Sequence, residues 1–160
     1  MSTIDAPLPA APAVPGPPPR LLVVRAPYYQ EVVDGMTAGA ARILGDAGAA
    51  HDLLDVAGAF ELAQAIRLVL RGSVRFDGFV ALGCIVRGET DHYDHICRES
   101  MAGLMHVALQ YGLAMGTGLL TVHDIGQALA RSGPDGHNKG AEAASAALRQ
   151  IAVARQMGAA

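Results

Sequence analysis

The stretch Gly78-Phe79-Val80-Ala81-Leu82-Gly83-Cys84-Ile85-Val86 decides the fold, because an uncharged run of strand length suits the centre of a parallel sheet. Working outward from it, short β-branched or leucine-rich runs alternate with longer segments of helical period from Arg20 onward. Upstream, Leu21 to Val24 reads as a first strand. A helix follows in which Val32, Val33, Met36, Ala40, Ile43 and Ala47 share one face before Gly48 ends it. His51 to Val56 is the second strand and Glu61 to Leu70 its helix, closed by Gly72. Downstream, a loop containing Gly88 precedes a long helix from about Asp91 to Tyr111, with Ile96, Met101, Leu104, Val107 and Ala108 at helical spacing. Gly116 to Val122 is the fourth strand. A short helix from Ile125 to Arg131, a Gly/Pro loop from Ser132 to His137 and an alanine-rich helix complete the pattern. The expectation is an α/β three-layer sandwich: a four-stranded parallel sheet with helices on both faces, and residues 21–160 as one domain.

The composition narrows the function. A length of 160 residues suits one domain, and a net charge of −3 with both signs interspersed gives no basic face for nucleic acid. No run approaches the roughly 18 apolar residues of a membrane span. The first twenty residues hold most of the nine prolines and no lysine, unlike a signal peptide, and read as a disordered, mobile polyproline-like tail. Two cysteines, Cys84 and Cys97, lie in apolar segments without the spacing of a disulfide scaffold or zinc site, which fits reduced thiols in a cytoplasmic protein.

Ligands of open parallel sheets bind beyond the carboxyl ends of the strands, so the loops after Val24, Val56, Val86 and Val122 should converge. Among them Gly83-Cys84-Ile85-Val86-Arg87-Gly88-Glu89-Thr90 has the spacing of a phosphate-binding P-loop, with Glu89 where that loop needs lysine. Nucleotide hydrolysis is disfavoured, since a carboxylate repels terminal phosphates. What remains is a turn feeding a helix N-terminus, whose free amides can hold one small phosphate. The segment equally reads as an ordinary turn with Asp91 as N-cap. His92 falls in the first helical turn, where the positive dipole end favours neutral imidazole and so a base. A histidine at a helix start is more often a surface or capping residue. His92, His95 and Glu99, with Cys84, also raise a metal site, although the chain carries no compact metalloenzyme signature.

The run from Ala81 through Gly83-Cys84-Ile85-Val86-Arg87-Gly88-Glu89-Thr90-Asp91-His92-Tyr93 to Asp94 resembles the most diagnostic motif of the lumazine synthase family. Gly58-Ala59-Phe60-Glu61 resembles its second motif. Gln127-Ala128 with Arg131, then Asn138-Lys139-Gly140 before an alanine-rich helix, is similar to its C-terminal pattern. The matches keep the family's order and cover Leu21 to about Leu148. The resemblance implies a flavodoxin-like fold and a homopentamer with active sites between neighbouring subunits. It further implies a transferase that needs no cofactor or metal. Its reaction condenses 5-amino-6-ribitylaminouracil with 3,4-dihydroxy-2-butanone 4-phosphate, releasing phosphate and water, in riboflavin biosynthesis.

By position, His92 matches the family's acid/base histidine. Gly88, Glu89, Thr90 and the adjacent amides match its phosphate loop, with Arg131 as the phosphate-binding arginine and Lys139 nearby. Phe60 lies within the motif whose Ala59 and Glu61 match the ribityl contacts. The strand edge at Cys84, Ile85 and Val86 matches the pyrimidine wall. Tyr28 takes the place of a stacking aromatic, although adjacent Tyr28 and Tyr29 equally read as surface packing. Two departures stand out: Thr117 replaces an aromatic contributed from the adjacent subunit, and Ala63 replaces a proline. They leave open a catalytically weak paralogue that binds flavin or lumazine through the same pocket. The fold alone also permits an FMN-holding redox module, and the histidines a metal hydrolase.

Overall fold

The computed structural model describes residues 8–134 and 137–159. Its four strands are β1 (Arg20–Ala26), β2 (Ala50–Asp55), β3 (Gly78–Val86) and β4 (Met115–Val122), all parallel in the order β2-β1-β3-β4. The helices are α1 (Gln30–Asp46), α2 (Leu62–Val69), α3 (His92–Tyr111), α4 (Ile125–Leu129) and α5 (Lys139–Gln156), with a 3₁₀ turn at Ala59–Glu61 before α2. This is the expected flavodoxin-like sandwich, and β3 has the bounds read from the sequence.

Strand alternation sorts the core into two halves. Leu21, Val23, Val80, Leu82, Leu120 and Val122 point to one face, where α1 supplies Val33, Met36 and Ile43 and α5 supplies Ala144, Leu148 and Ile151. Leu22, Val24, Phe79, Ala81 and Leu119 point to the other, against Leu62 and Ile66 of α2 and Leu104 and Val107 of α3. Helix α1 stops at a Schellman turn. Gly48 sits at φ +68°, its amide bonds Gly45 O at 2.9 Å, and the Ala49 amide bonds Leu44 O at 2.9 Å.

Two expectations are corrected in detail. Met101 is exposed, because the buried stripe of α3 runs through Ser100, Leu104 and Val107. Arg131 lies beyond α4 in a turn, where its guanidinium donates to Gln127 O at 2.9 Å. Of the proline-rich segment, residues 8–19 are described and residues 1–7 lie outside the described residues. Ala11 and Val14 pack on the α1/α5 half of the core, and the Ser145 hydroxyl donates to Ala10 O at 2.8 Å. Arg155 donates to Pro15 O at 2.8 Å and Pro17 O at 2.6 Å.

Asn138 joins the parts around α5. Its Oδ1 caps the helix by accepting from the amides of Gly140 (2.9 Å) and Ala141 (3.0 Å). Its Nδ2 donates to the carbonyls of Gly35 (2.9 Å), Ser132 (2.8 Å) and Gly133 (3.0 Å). Asn138→Asp keeps the acceptor but turns a carboxylate oxygen toward three buried carbonyls, so it should lower stability by about 3 kcal/mol. Urea unfolding checks this, and an unchanged midpoint would remove the keystone role.

The glycines of this region divide cleanly. A Cβ on Gly140 would overlap the Met36 carbonyl, whereas one on Gly45 would meet nothing within 4 Å. Gly140→Ala should therefore cost about 3 kcal/mol through overpacking. Gly45→Ala should gain about 0.5–1 kcal/mol from helix propensity. The same denaturation assay ranks them, and the reverse order would refute the α1–α5 packing described.

Candidate active site

In this strand order the chain winds from β1 to β2, then returns past β1 to β3. The gap beyond the carboxyl ends of β1 and β3 is thus a topological switch point, where helices leave on opposite faces and a crevice opens. A cleft of about 310 Å³ lies there, lined by Tyr28 and Tyr29 after β1, Gly58 and Ala59 after β2, and Cys84, Ile85 and Val86 of β3. Gly88, Thr90, His92, Tyr93 and Ile96 line the rest. A larger hollow of about 480 Å³ beside the edge strand β2 holds none of the residues singled out above, being lined by Arg20, Leu22, Leu53, Leu54, Val69 and Phe76 among others. Convergence of chemistry-bearing groups, rather than size, marks the candidate.

Each wall has a local cause. Tyr29 occupies the N-cap position of α1 and packs partly into the core. Tyr28 is left 78% exposed, with its ring edge-on to Tyr29 at 5.1 Å and 68°. A free aromatic face held by a second ring suits stacking against a planar ligand. Burial pushes the Tyr29 phenol above its ordinary value, with smaller contributions from Tyr28 and Cys84. In the 3₁₀ turn, Phe60 is 48% exposed. The Glu61 carboxylate lies over Gly58, where a Cβ would stand 3.2 Å from Oε2. A side chain at position 58 would crowd this carboxylate, but neither Phe60 nor Glu61 lines the cleft.

The loop after β3 carries Gly88, Glu89, Thr90 and Asp91, all exposed, into α3. Asp91 stands at the N-cap position, but it has helical backbone angles and makes no side-chain capping bond. The first amides bonded to Asp91 O are those of Asp94 (3.1 Å) and His95 (3.3 Å). The amides of His92 and Tyr93 therefore lack an intrahelical acceptor, as at any helix start, and suit an anion. The side chains pull the other way. Between residues 87 and 94 the sequence carries three carboxylates, Glu89, Asp91 and Asp94, and one arginine, Arg87, whose guanidinium lies 3.6 Å from Asp94.

The remaining candidates lie elsewhere on this chain. Glu89 is exposed on the loop without lining the cleft. Thr117 is exposed near the start of β4, paired with Ala81 and remote from the carboxyl ends of the strands. Arg131 and Lys139 are neighbours through the bond from Lys139 N to Arg131 O at 2.8 Å, and Lys139 Nζ donates to Glu142 at 2.6 Å. None of these three lines the cleft. Among the described residues no three His, Cys, Asp or Glu side chains gather as a metal donor set, so His92, His95, Glu99 and Cys84 do not form one.

The cleft also holds residues that the sequence reading did not single out as contacts. Tyr29, Gly58 and Tyr93 each adjoin a candidate in the chain. Ile96 stands one helical turn after His92, so i,i+4 spacing was a signal for it.

Over residues 18–155 the sequence matches the family described as 6,7-dimethyl-8-ribityllumazine synthase. The chain belongs to this family. It is 48% identical over 145 residues to the 6,7-dimethyl-8-ribityllumazine synthase of Paramagnetospirillum magneticum, covering 87% of this chain and 97% of that protein. It is 42% identical to 6,7-dimethyl-8-ribityllumazine synthase 1 of Rhizobium meliloti, covering 89% and 95%. With the synthase of Bartonella tribocorum it shares 39% identity, covering 88% and 93%. Residues of the two motifs that follow β2 and β3 meet Tyr28, which follows β1, in the one cleft.

Cys84 gives a solution test of this wall. Burial raises its thiol from 9.0 to about 11. The group is neutral in both folded and unfolded states below about pH 9. The unfolded chain ionises first as pH rises further, so this thiol contributes stability that is lost between about pH 9 and 11. At pH 8 the folded thiolate fraction should be about a hundredfold below that of the unfolded chain. Iodoacetamide labelling with peptide mapping should show at least that ratio of rates at Cys84. Equal rates with and without urea would contradict the placement of Cys84.

Proposed function

We propose that this chain is a transferase of riboflavin biosynthesis that condenses 5-amino-6-ribitylaminouracil with 3,4-dihydroxy-2-butanone 4-phosphate, releasing phosphate and water to give 6,7-dimethyl-8-ribityllumazine. The observation that carries this reading is the switch-point cleft, which gathers Tyr28, Ala59, Cys84, Ile85, Val86, Gly88, Thr90 and His92 from motifs far apart in sequence. Membership of the family supports it.

In the proposed arrangement the pyrimidine stacks on Tyr28 and reads the backbone edge of Ile85 and Val86. Ala59, Phe60 and Glu61 take the ribityl chain, the carboxylate accepting hydrogen bonds from its hydroxyls. The amides of Gly88, Glu89 and Thr90 and the first turn of α3 receive the phosphate. His92 moves protons during imine formation, phosphate elimination, ring closure and dehydration. These steps are proton transfers between well-aligned groups and call for neither metal nor cofactor.

The charge of the loop argues for a shared site. Its two carboxylates, with Asp94 in the first turn of α3, oppose a dianion, and the cations suited to one, Arg131 and Lys139, stand outside this chain's cleft. We infer a homopentamer in which Arg131, Lys139 and Thr117 complete the cleft of the next subunit. No helix among the described residues is long and apolar enough to cross a membrane, and a cytoplasmic location is proposed with the function.

The test is turnover of the two substrates in excess chelator, followed by lumazine absorbance. Arg131→Ala should lower kcat/KM about a hundredfold. His92→Ala and Arg131→Ala chains, each impaired alone, should regain about a quarter of the parent rate when refolded together, because only a shared site draws one intact half from each chain. Absence of turnover above background in the parent would end the synthase reading, and absence of rescue would end the shared site.

A further inference from the structure

The loop that presents His92 has little to hold it. Gly88, Glu89, Thr90, Asp91 and His92 are all exposed, and Asp91 makes no side-chain capping bond. What fixes it is at its two ends. At the strand end, Arg87 N donates to Val122 O at 2.9 Å, which prolongs the β3–β4 ladder by one residue. From that anchored position the Arg87 side chain spans the loop. Its guanidinium lies 5.2 Å from the centroid of the Tyr93 ring and 3.6 Å from the Asp94 carboxylate.

The far end is anchored too. Tyr93 lines the cleft, is partly buried, and its ring lies 6.4 Å from that of His123 beyond the end of β4. Strand end, guanidinium, tyrosine ring and first helical turn form a closed bracket around the four loop residues. A planar cation suits this span, because one face can cover an aromatic ring while an edge N–H points to a carboxylate.

We propose that Arg87 is a positioning residue: by bracketing the Gly88–Asp91 loop onto Tyr93 and Asp94, it holds the loop amides and His92 in the geometry that receives a phosphate and transfers protons. This rests on reading the cleft as the active site, but the bracket itself is testable without turnover. Asp94 gains a role as well. Paired with Arg87, its carboxylate repels an incoming anion less than an unpaired one would.

Arg87→Met removes the charge and keeps an unbranched apolar chain, while Arg87→Lys keeps charge without the planar face. Amide hydrogen exchange of Asp94 and His95, whose amides bond the Asp91 carbonyl at the end of the loop, should rise about tenfold in the ligand-free Met variant, the combined size of one exposed ion pair and one cation–π contact. The Lys variant should fall between. Inorganic phosphate should bind the Met variant about tenfold more weakly, with the thermal midpoint little changed because the side chain is half exposed.

In turnover, KM for the ketose phosphate should rise while KM for the pyrimidine stays. Weaker phosphate binding with unaltered exchange would make Arg87 a direct ligand and overturn the positioning role. Unaltered exchange with unaltered phosphate affinity would overturn it as well. If the parent protein proves to have no turnover, the exchange and phosphate measurements still decide the bracket, separately from the synthase reading.

Discussion

Asn138 satisfies five backbone groups from three parts of the chain, and the α1/α5 side of the molecule depends on it. The cap on α5 uses its oxygen, while its amide nitrogen holds the carbonyls of Gly35 in α1 and of Ser132 and Gly133 in the preceding loop. With Asn138 only 3% exposed, water cannot replace these bonds without opening the packing. The constraint propagates into composition. A Cβ on Gly35 would meet Ser132, one on Gly39 would meet Asn138 itself, and one on Gly140 would meet α1. Three glycines in helices are disfavoured by propensity, and close approach of backbones is the gain that offsets them.

That packing reaches the chemistry through one residue. Lys139 follows Asn138, and its amide bonds the Arg131 carbonyl, so the backbones of these two basic residues are joined next to the cap. Among the described residues, the other side of the sheet has no such keystone. There the cleft takes its shape from where strands end, and its loop after β3 from contacts at either end of an exposed segment. A rigid cationic element and an adjustable anion-receiving loop thus come from two regions with different packing.

How much of this was legible in the sequence follows from the range of the interactions. Strand β3 was read to the residue because an uncharged run signals burial directly. Strand β1 was read short, from Leu21 to Val24, since its ends carry Arg20 and Arg25, and charges argue against a strand. In the fold they are matched by the adjacent strand β2, Arg20 by Asp52 and Arg25 by Asp55 in a two-pronged pair at 2.7 and 2.8 Å. Such pairing depends on register, which periodicity does not encode. The seating of Pro15 and Pro17 under Arg155 joins residues 138 and 140 positions apart and has no local signal. Of the four loops that the switch-point rule selects, those after β1, β2 and β3 line the cleft and the one after Val122 does not, while the individual contacts Tyr29 and Tyr93 depend on how α1 and α3 start.

The residues that resemblance supplied and geometry left outside the cleft are informative together. Thr117, Arg131 and Lys139 lie on β4 and at the approach to α5, not around the carboxyl ends of β1 and β3. In the proposed arrangement the cleft with its carboxylate-rich loop would be half of a phosphate site, and Arg131 and Lys139, which do not line that cleft, would be the other half. An oligomer that joins the two would couple assembly to activity through ordinary electrostatics. In the proposed assembly the loop would repel a phosphate ester until the next subunit brought two cations beside its amides in a site that excludes water, where each charge counts for more.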